Sequence, residues 1–200
     1  LGSWIAGDPY QKLSGIAPTL VIKDNDLTPW QEVQRLVGRA TGREAAADAV
    51  IAETEAIIAA QAARLKALAG RAVTVAYQFF DQFLINGAAI SISRLVTRLG
   101  LTIKAPDQAK ISMLSLEQIR AVEDADILLS PIFIQADLEK QESNPLFRTL
   151  PAVRAGRYLP LSVEVARASY LESALSVRWV IPQLADALLA AAEGKGKRLD

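Results

Sequence analysis

An α/β fold follows from three features of this 200-residue sequence. Short β-branched runs alternate with helical patterns along most of its length. The stretch Glu44–Ala69 contains neither Gly nor Pro. Turn residues punctuate each switch from one pattern to the next. The apolar fraction of 51% supports a sizeable core.

The elements can be justified in order. "LGSWIAGDPYQKLSGIAPTLVIKD" reads as the end of a strand, a Gly/Asp/Pro turn, a short helix and a second strand at Thr19–Ile22. Pro29 suits a first helical turn, and "PWQEVQRLVGRA" sets Trp30, Val33, Leu36 and Val37 on one face until Thr41–Gly42 breaks it. Glu44–Ala69 then carries an apolar stripe of Val50, Ile51, Ile57, Ile58, Leu65 and Leu68, stopped by Gly70. A rod of that length would measure roughly 40 Å, a strut across a molecule.

"RAVTVAY" (71–77) suits a strand buried on both faces. "AISISRLVTRLGL" is a helix with Gly100 near its C-cap, followed by a short strand at 101–104. Ser115 starts another helix, "DILLSPIF" (126–133) is a buried strand, and "LEKQESNPLFRTL" is broken helix. "GRYLPLSV" makes the last strand, a helix from about Arg167 to Ala192 closes the fold, and "EGKGKRLD" is expected to be a frayed tail. This order implies mostly parallel strands with right-handed crossovers. Residues 1–28 are thus expected to be a remnant of an N-terminal α/β lobe, and 29–70 an interlobe helical segment. Residues 71–200 form a C-terminal Rossmann-like lobe with a mostly parallel sheet. The short first unit cannot bury itself, so a preceding N-terminal segment is expected.

Composition narrows the function. Twenty-two basic residues balance twenty-two acidic ones, which gives no field for nucleic acid or an anionic membrane. His and Cys are absent, which removes His/Cys zinc sites, thiol nucleophiles and His-based triads. There is no G-x-G-x-x-G, P-loop or clustered acid–base pair, so no enzyme is expected. No run of about eighteen apolar residues spans a bilayer, and "LGSWIAGDPY" lacks the basic and apolar regions of a leader.

Several stretches resemble a known family. "LGSW", "YQKLSGIAPTLVI" (Tyr10–Ile22), Trp30 with Gly38 and Gly42, "SLEQI", "DADILL" and "LPAVRAGRYLPL" (150–161) stand in the order found in one class of bacterial solute-binding proteins. These proteins serve ABC transporters and capture iron–siderophore, cobalamin or haem complexes with two α/β lobes joined by a long helix. The resemblance implies an extracytoplasmic protein, held to the membrane only through a lipid anchor outside these residues. Its partner would be an ABC-transporter permease and its cargo a ferric siderophore or related iron or tetrapyrrole complex, with no intrinsic cofactor. Most of the first lobe would be missing, so such a fragment is expected to bind weakly and to self-associate through its uncovered edge.

Ligands of open α/β sheets bind beyond the carboxyl ends of the strands. That rule selects Trp4, then Tyr77, Gln78, Phe79 and Phe80, then Ser130, Pro131 and Phe133, then Glu164, Arg167 and Tyr170. Arg94 joins them from the helix after Asn86–Gly87. Aromatic faces and guanidinium forks suit an anionic chelate, although alternate aromatics also suit core packing and both arginines suit surface salt bridges. Ser115 with Gln118 makes a capping box that places Glu117 at N2, where a carboxylate gains about 0.3–1 kcal/mol. The resemblance gives Glu117 a second reading, as the glutamate that docks on permease arginines. A non-transport binding or assembly module of the same fold is the alternative.

Overall fold

A computed structural model describes residues 8–22 and 28–199. α1 (Asp8–Ser14) leads into an irregular segment that reaches Ile22. The strand expected at Thr19–Ile22 does not form, because no described strand lies alongside to take up its amides, and an extended run without a partner is not a strand. The strand end expected at "LGSW" lies outside the described residues.

α2 (Trp30–Thr41) starts after Pro29, which occupies the N-cap rather than the first turn, and ends on Gly42 at φ 65°. α3 (Glu44–Arg64) is one unbroken helix of 21 residues, roughly 32 Å long. It tightens into a 3₁₀ turn at Lys66–Leu68, so the rod forms but its α-helical part stops before Ala69.

The sheet follows. β1 (Ala72–Phe79) turns straight back into β2 (Gln82–Asn86), and α4 (Ser91–Arg98) leads to the short β3 (Thr102–Ile103). β4 (Ile111–Ser115) runs into a 3₁₀ helix at Leu116–Val122, and β5 (Ile127–Pro131) comes next. α5 (Gln135–Ser143), α6 (Pro145–Arg148) and α7 (Pro151–Arg154) are the broken helical stretch. β6 (Tyr158–Leu161), α8 (Val163–Tyr170) and α9 (Ala174–Ala192) complete the chain.

The strand order is β4-β2-β1-β5-β6, with β3 also on β1. β3, β5 and β6 run parallel to β1, and β2 alone runs against them, pairing antiparallel with both β1 and β4. The mostly parallel lobe is therefore present, extended by a hairpin and an edge strand that the periodicity did not reveal.

Two other expectations are corrected. The closing helix is two helices, because Ser162 and Ser173 each accept an amide of the turn that follows them. The C-terminal tail is docked rather than frayed. Gly196 N–H donates to the Gly156 carbonyl at 2.6 Å, Lys197 N–H to that of Tyr158 at 2.8 Å, and Lys197 Nζ meets Glu142 at 2.6 Å. β6 is a sheet edge with carbonyls to offer, and the local glycines let the tail approach.

One core lies on the sheet face covered by α3, α4, α8 and α9, and joins Val73, Val75 and Leu129 to Ile58, Leu65 and Leu184. The opposite face packs Phe83, Phe147, Tyr158 and Val153 under the 3₁₀ helix, α6 and α7. α3 is also fastened by polar contacts, since Arg178 of α9 donates to Thr54 Oγ1 at 2.8 Å and pairs with Glu53 at 2.9 Å. The helices of residues 29–70 thus share a core with the sheet. α9 is long and apolar enough to cross a membrane by length and composition, but Val177, Val180, Ile181, Leu184 and Leu188 bury its apolar face in this core.

Candidate functional site

Alternation along β1 directs Tyr77 and Phe79 to the same sheet face as Val73 and Val75. They emerge at the carboxyl end of the strand, where Phe133 follows β5 and Tyr170 ends α8. Phe133 is the hub. Its ring centroid lies 5.5 Å from Tyr77, 6.4 Å from Phe79 and 4.8 Å from Tyr170, in tilted or edge-on arrangements. Phe80 extends the cluster edge-on to Phe79 at 4.7 Å. Phe133, Phe79 and Tyr170 are half-buried, Tyr77 is buried, and Phe80 is 57% exposed. The result is an aromatic wall that retains open faces.

Polar groups sit beneath the rings. The Asn86 amide donates to the Tyr170 hydroxyl, which in turn donates to that of Tyr77 at 3.4 Å. Burial pushes the Tyr77 hydroxyl up, so it stays protonated at neutral pH. Arg94, in the first turn of α4, donates to the Ala89 carbonyl, to Ser91 Oγ and to Glu172 at 3.3 Å.

The hairpin that carries Phe79 and Phe80 is held from the other side. β5 pairs with β1 only over Val73–Val75, and no strand among the described residues continues along that edge. α5 supplies the missing acceptors from two residues one turn apart. Gln141 Oε1 accepts from Gln78 N–H at 2.6 Å, and Asp137 Oδ2 from Phe80 N–H at 3.0 Å. Phe80 is the first of two turn residues and has φ 52°, a region a bulky side chain rarely occupies. Asp137→Ala leaves that amide without its charged acceptor. A loss of about 1–2 kcal/mol in thermal unfolding is expected, with faster hydrogen exchange at Phe80, while Asp137→Asn retains most of the effect.

The remaining sequence candidates are placed as follows. Gln78 points to the opposite sheet face, where its side chain donates to the Phe80 carbonyl at 2.8 Å, and does not join the cluster. Ser130 is buried on that same face and donates to the Ala76 carbonyl. Arg167 and Glu164 are exposed on α8. Trp4 lies outside the described residues. Glu117 is exposed in the 3₁₀ helix, which begins with the expected Ser115–Gln118 capping box. Asn86, Glu172 and Asp137 carry little signal in the sequence: Asn86 precedes a turn glycine, Glu172 is a lone acid between two helices, and Asp137 shows only an i,i+4 spacing to Gln141.

The architecture is an α/β lobe with a mostly parallel sheet and an aromatic cluster beyond its strand ends. A family described as periplasmic binding protein matches residues 2–161, and the chain belongs to that family. Among solved structures, it is similar to a periplasmic solute binding protein from Mycobacterium smegmatis, with a TM-score of 0.79 and 21% identity over 92% of this chain and 65% of that one. It is also similar to PiaA from Streptococcus pneumoniae in complex with ferrichrome, with a TM-score of 0.73 and 22% identity over 94% of this chain and 66% of that one. The siderophore binding protein FhuD from Vibrio cholerae, bound to Fe3+-Desferal, gives 0.76 and 19% over 96% of this chain and 74% of that one. The chain thus spans about two thirds of the first two structures, and identities at this level establish the shared fold. No curated protein sequence matches it.

Proposed function

We propose that this chain belongs to the substrate-binding component of an ABC importer, which captures a ferric siderophore outside the cytoplasmic membrane and delivers it to a permease. The observation that carries the reading is the Phe133-centred aromatic wall at the strand ends of a periplasmic-binding-protein lobe. Tyr77, Phe79, Phe133 and Tyr170 pack against the organic shell of the chelate, and Arg94 orients polar groups beneath them. The siderophore supplies the iron ligands, so the iron is cargo. A hollow of about 610 Å³ beside Val33 and Leu36 of α2 has no aromatic lining among the described residues, so the rings at the strand ends are the better surface for the chelate.

Titration of the intact protein with ferrioxamine B should quench tryptophan fluorescence saturably. A flat response to every ferric siderophore would favour the assembly-module reading instead. Glu117 is proposed as a permease contact, consistent with its exposure on the 3₁₀ helix. Glu117→Arg should abolish uptake in cells while siderophore affinity stays unchanged. Uptake at the wild-type level would remove that role.

A further inference from the structure

Most arginines of the described residues are matched to carboxylates. Arg71 meets Asp126, Arg94 meets Glu172, Arg98 meets Glu55 and Arg178 meets Glu53. Arg148, Arg154 and Arg198 depart from this pattern. None of the three reaches a carboxylate among the described residues. All three nevertheless line one hollow of about 420 Å³, together with Thr149 and Leu199. A second hollow of about 410 Å³ adjoins it, shares Thr149 and Arg154, and adds Arg120. Glu123 is the one acid lining either hollow among the described residues, and it stands 4.0 Å from Arg120. The surface here is strongly positive in a chain whose basic and acidic residues balance.

Each guanidinium is carried by a different, anchored segment. Arg148 ends α6 beside the fully buried Phe147, and Arg154 ends α7 beside the fully buried Val153. Arg198 belongs to the docked tail, directly after the bridge of Lys197 to Tyr158, and its Nη2 donates to the Gly194 carbonyl at 3.4 Å. The fold therefore gathers three like charges that repel one another until an anion sits among them. This hollow lies at the amino end of β6, whereas the ring cluster lies beyond the carboxyl ends of the strands.

A guanidinium presents paired N–H donors that match two oxygens of a phosphate or a carboxylate. A carboxylate has only two oxygens, which a single fork can occupy. A phosphoryl group offers three acceptor oxygens and nearly two negative charges at neutral pH, enough for several forks at once. The volume also falls within the range of small-molecule sites, so the phosphoryl group has room for a substituent. We infer that the hollow between α6, α7 and the C-terminal tail binds a phosphoryl group carrying more than one negative charge. A free phosphorylated compound and a phosphomonoester lipid headgroup both present that chemistry.

The test is calorimetric titration of the intact protein with pyrophosphate, beside flotation with phosphatidylcholine vesicles that contain or lack phosphatidic acid. Arg154→Gln removes the guanidinium shared by both hollows and should weaken binding roughly tenfold, and the double variant Arg148→Gln/Arg154→Gln roughly 100-fold. Arg39→Gln, at an exposed arginine of α2, should bind as the wild type does. Arg148 and Arg154 are themselves exposed, so their variants should fold, which circular dichroism checks. Pyrophosphate binding without flotation supports a free phosphorylated ligand. Flotation confined to phosphatidic acid vesicles and lost in the double variant supports the lipid headgroup. Absence of both, or binding that the double variant retains, overturns the inference. Ferrioxamine B affinity should be the same in all these variants, so this inference and the importer reading fail separately.

Discussion

Phe133→Ala is expected to weaken ferric-siderophore binding by roughly two orders of magnitude while the lobe stays folded. Three rings lean on Phe133, from Tyr77, Phe79 and Tyr170. A ligand seated on this wall loses the Phe133 face and the positioning that Phe133 gives its three neighbours, and two orders of magnitude correspond to about 3 kcal/mol. The cost to stability should be smaller, because Phe133 is half-buried at the rim and a truncated side chain there opens to water instead of leaving a sealed cavity. Phe133→Leu restores volume without a ring face and should recover stability more than affinity. Fluorescence titration beside thermal melts separates the two effects. Unchanged affinity in Phe133→Ala would mean that the ligand sits elsewhere.

Gly156→Ala is expected to be the most damaging small substitution, at about 3 kcal/mol or more in urea unfolding. Gly156 has φ 69°, and a Cβ there would land on the Gly194 carbonyl oxygen and 2.8 Å from Arg198 Nε. Left-handed backbone alone costs an alanine about 1–2 kcal/mol. The clash adds the forced separation of the tail from β6, with loss of the bonds Gly196 N–H to Gly156 and Lys197 N–H to Tyr158. Gly100→Ala is the control. It shares the left-handed backbone at φ 92° but meets nothing within 4 Å, so only the conformational cost of about 1–2 kcal/mol should appear. Equal losses in the two variants would show that the tail contributes nothing to stability.

The importer reading needs a pocket built before the ligand arrives, and the polar contacts behind the hairpin explain how Phe79 and Phe80 are held without a neighbouring strand. Gln141 and Asp137 stand in for the residues that β5 would have supplied beyond Pro131. The aromatic wall therefore depends on two side chains on the far face of the sheet.

What the sequence determined alone is whatever depends on local periodicity and short-range caps. The uninterrupted rod from Glu44, the buried strands at Val73 and Leu129, the helix after Ile90, and the capping box at Ser115 were all legible for that reason. The strand-end rule also named Tyr77, Phe79, Phe133 and Tyr170, whose rings the fold brings into contact. Tertiary structure decided what depends on pairing between distant residues. Thr19–Ile22 has strand composition but no described partner, whereas β4 has no strand signal of its own and forms because β2 accepts it. Gln78 sits between two pocket aromatics in sequence yet faces away from them, because strand alternation sends neighbours to opposite faces. The pairing of Arg94 with Glu172 lies furthest from local reading. Seventy-eight positions separate the two residues, and only the fold brings them into a shared low-dielectric setting where one charge cancels the other.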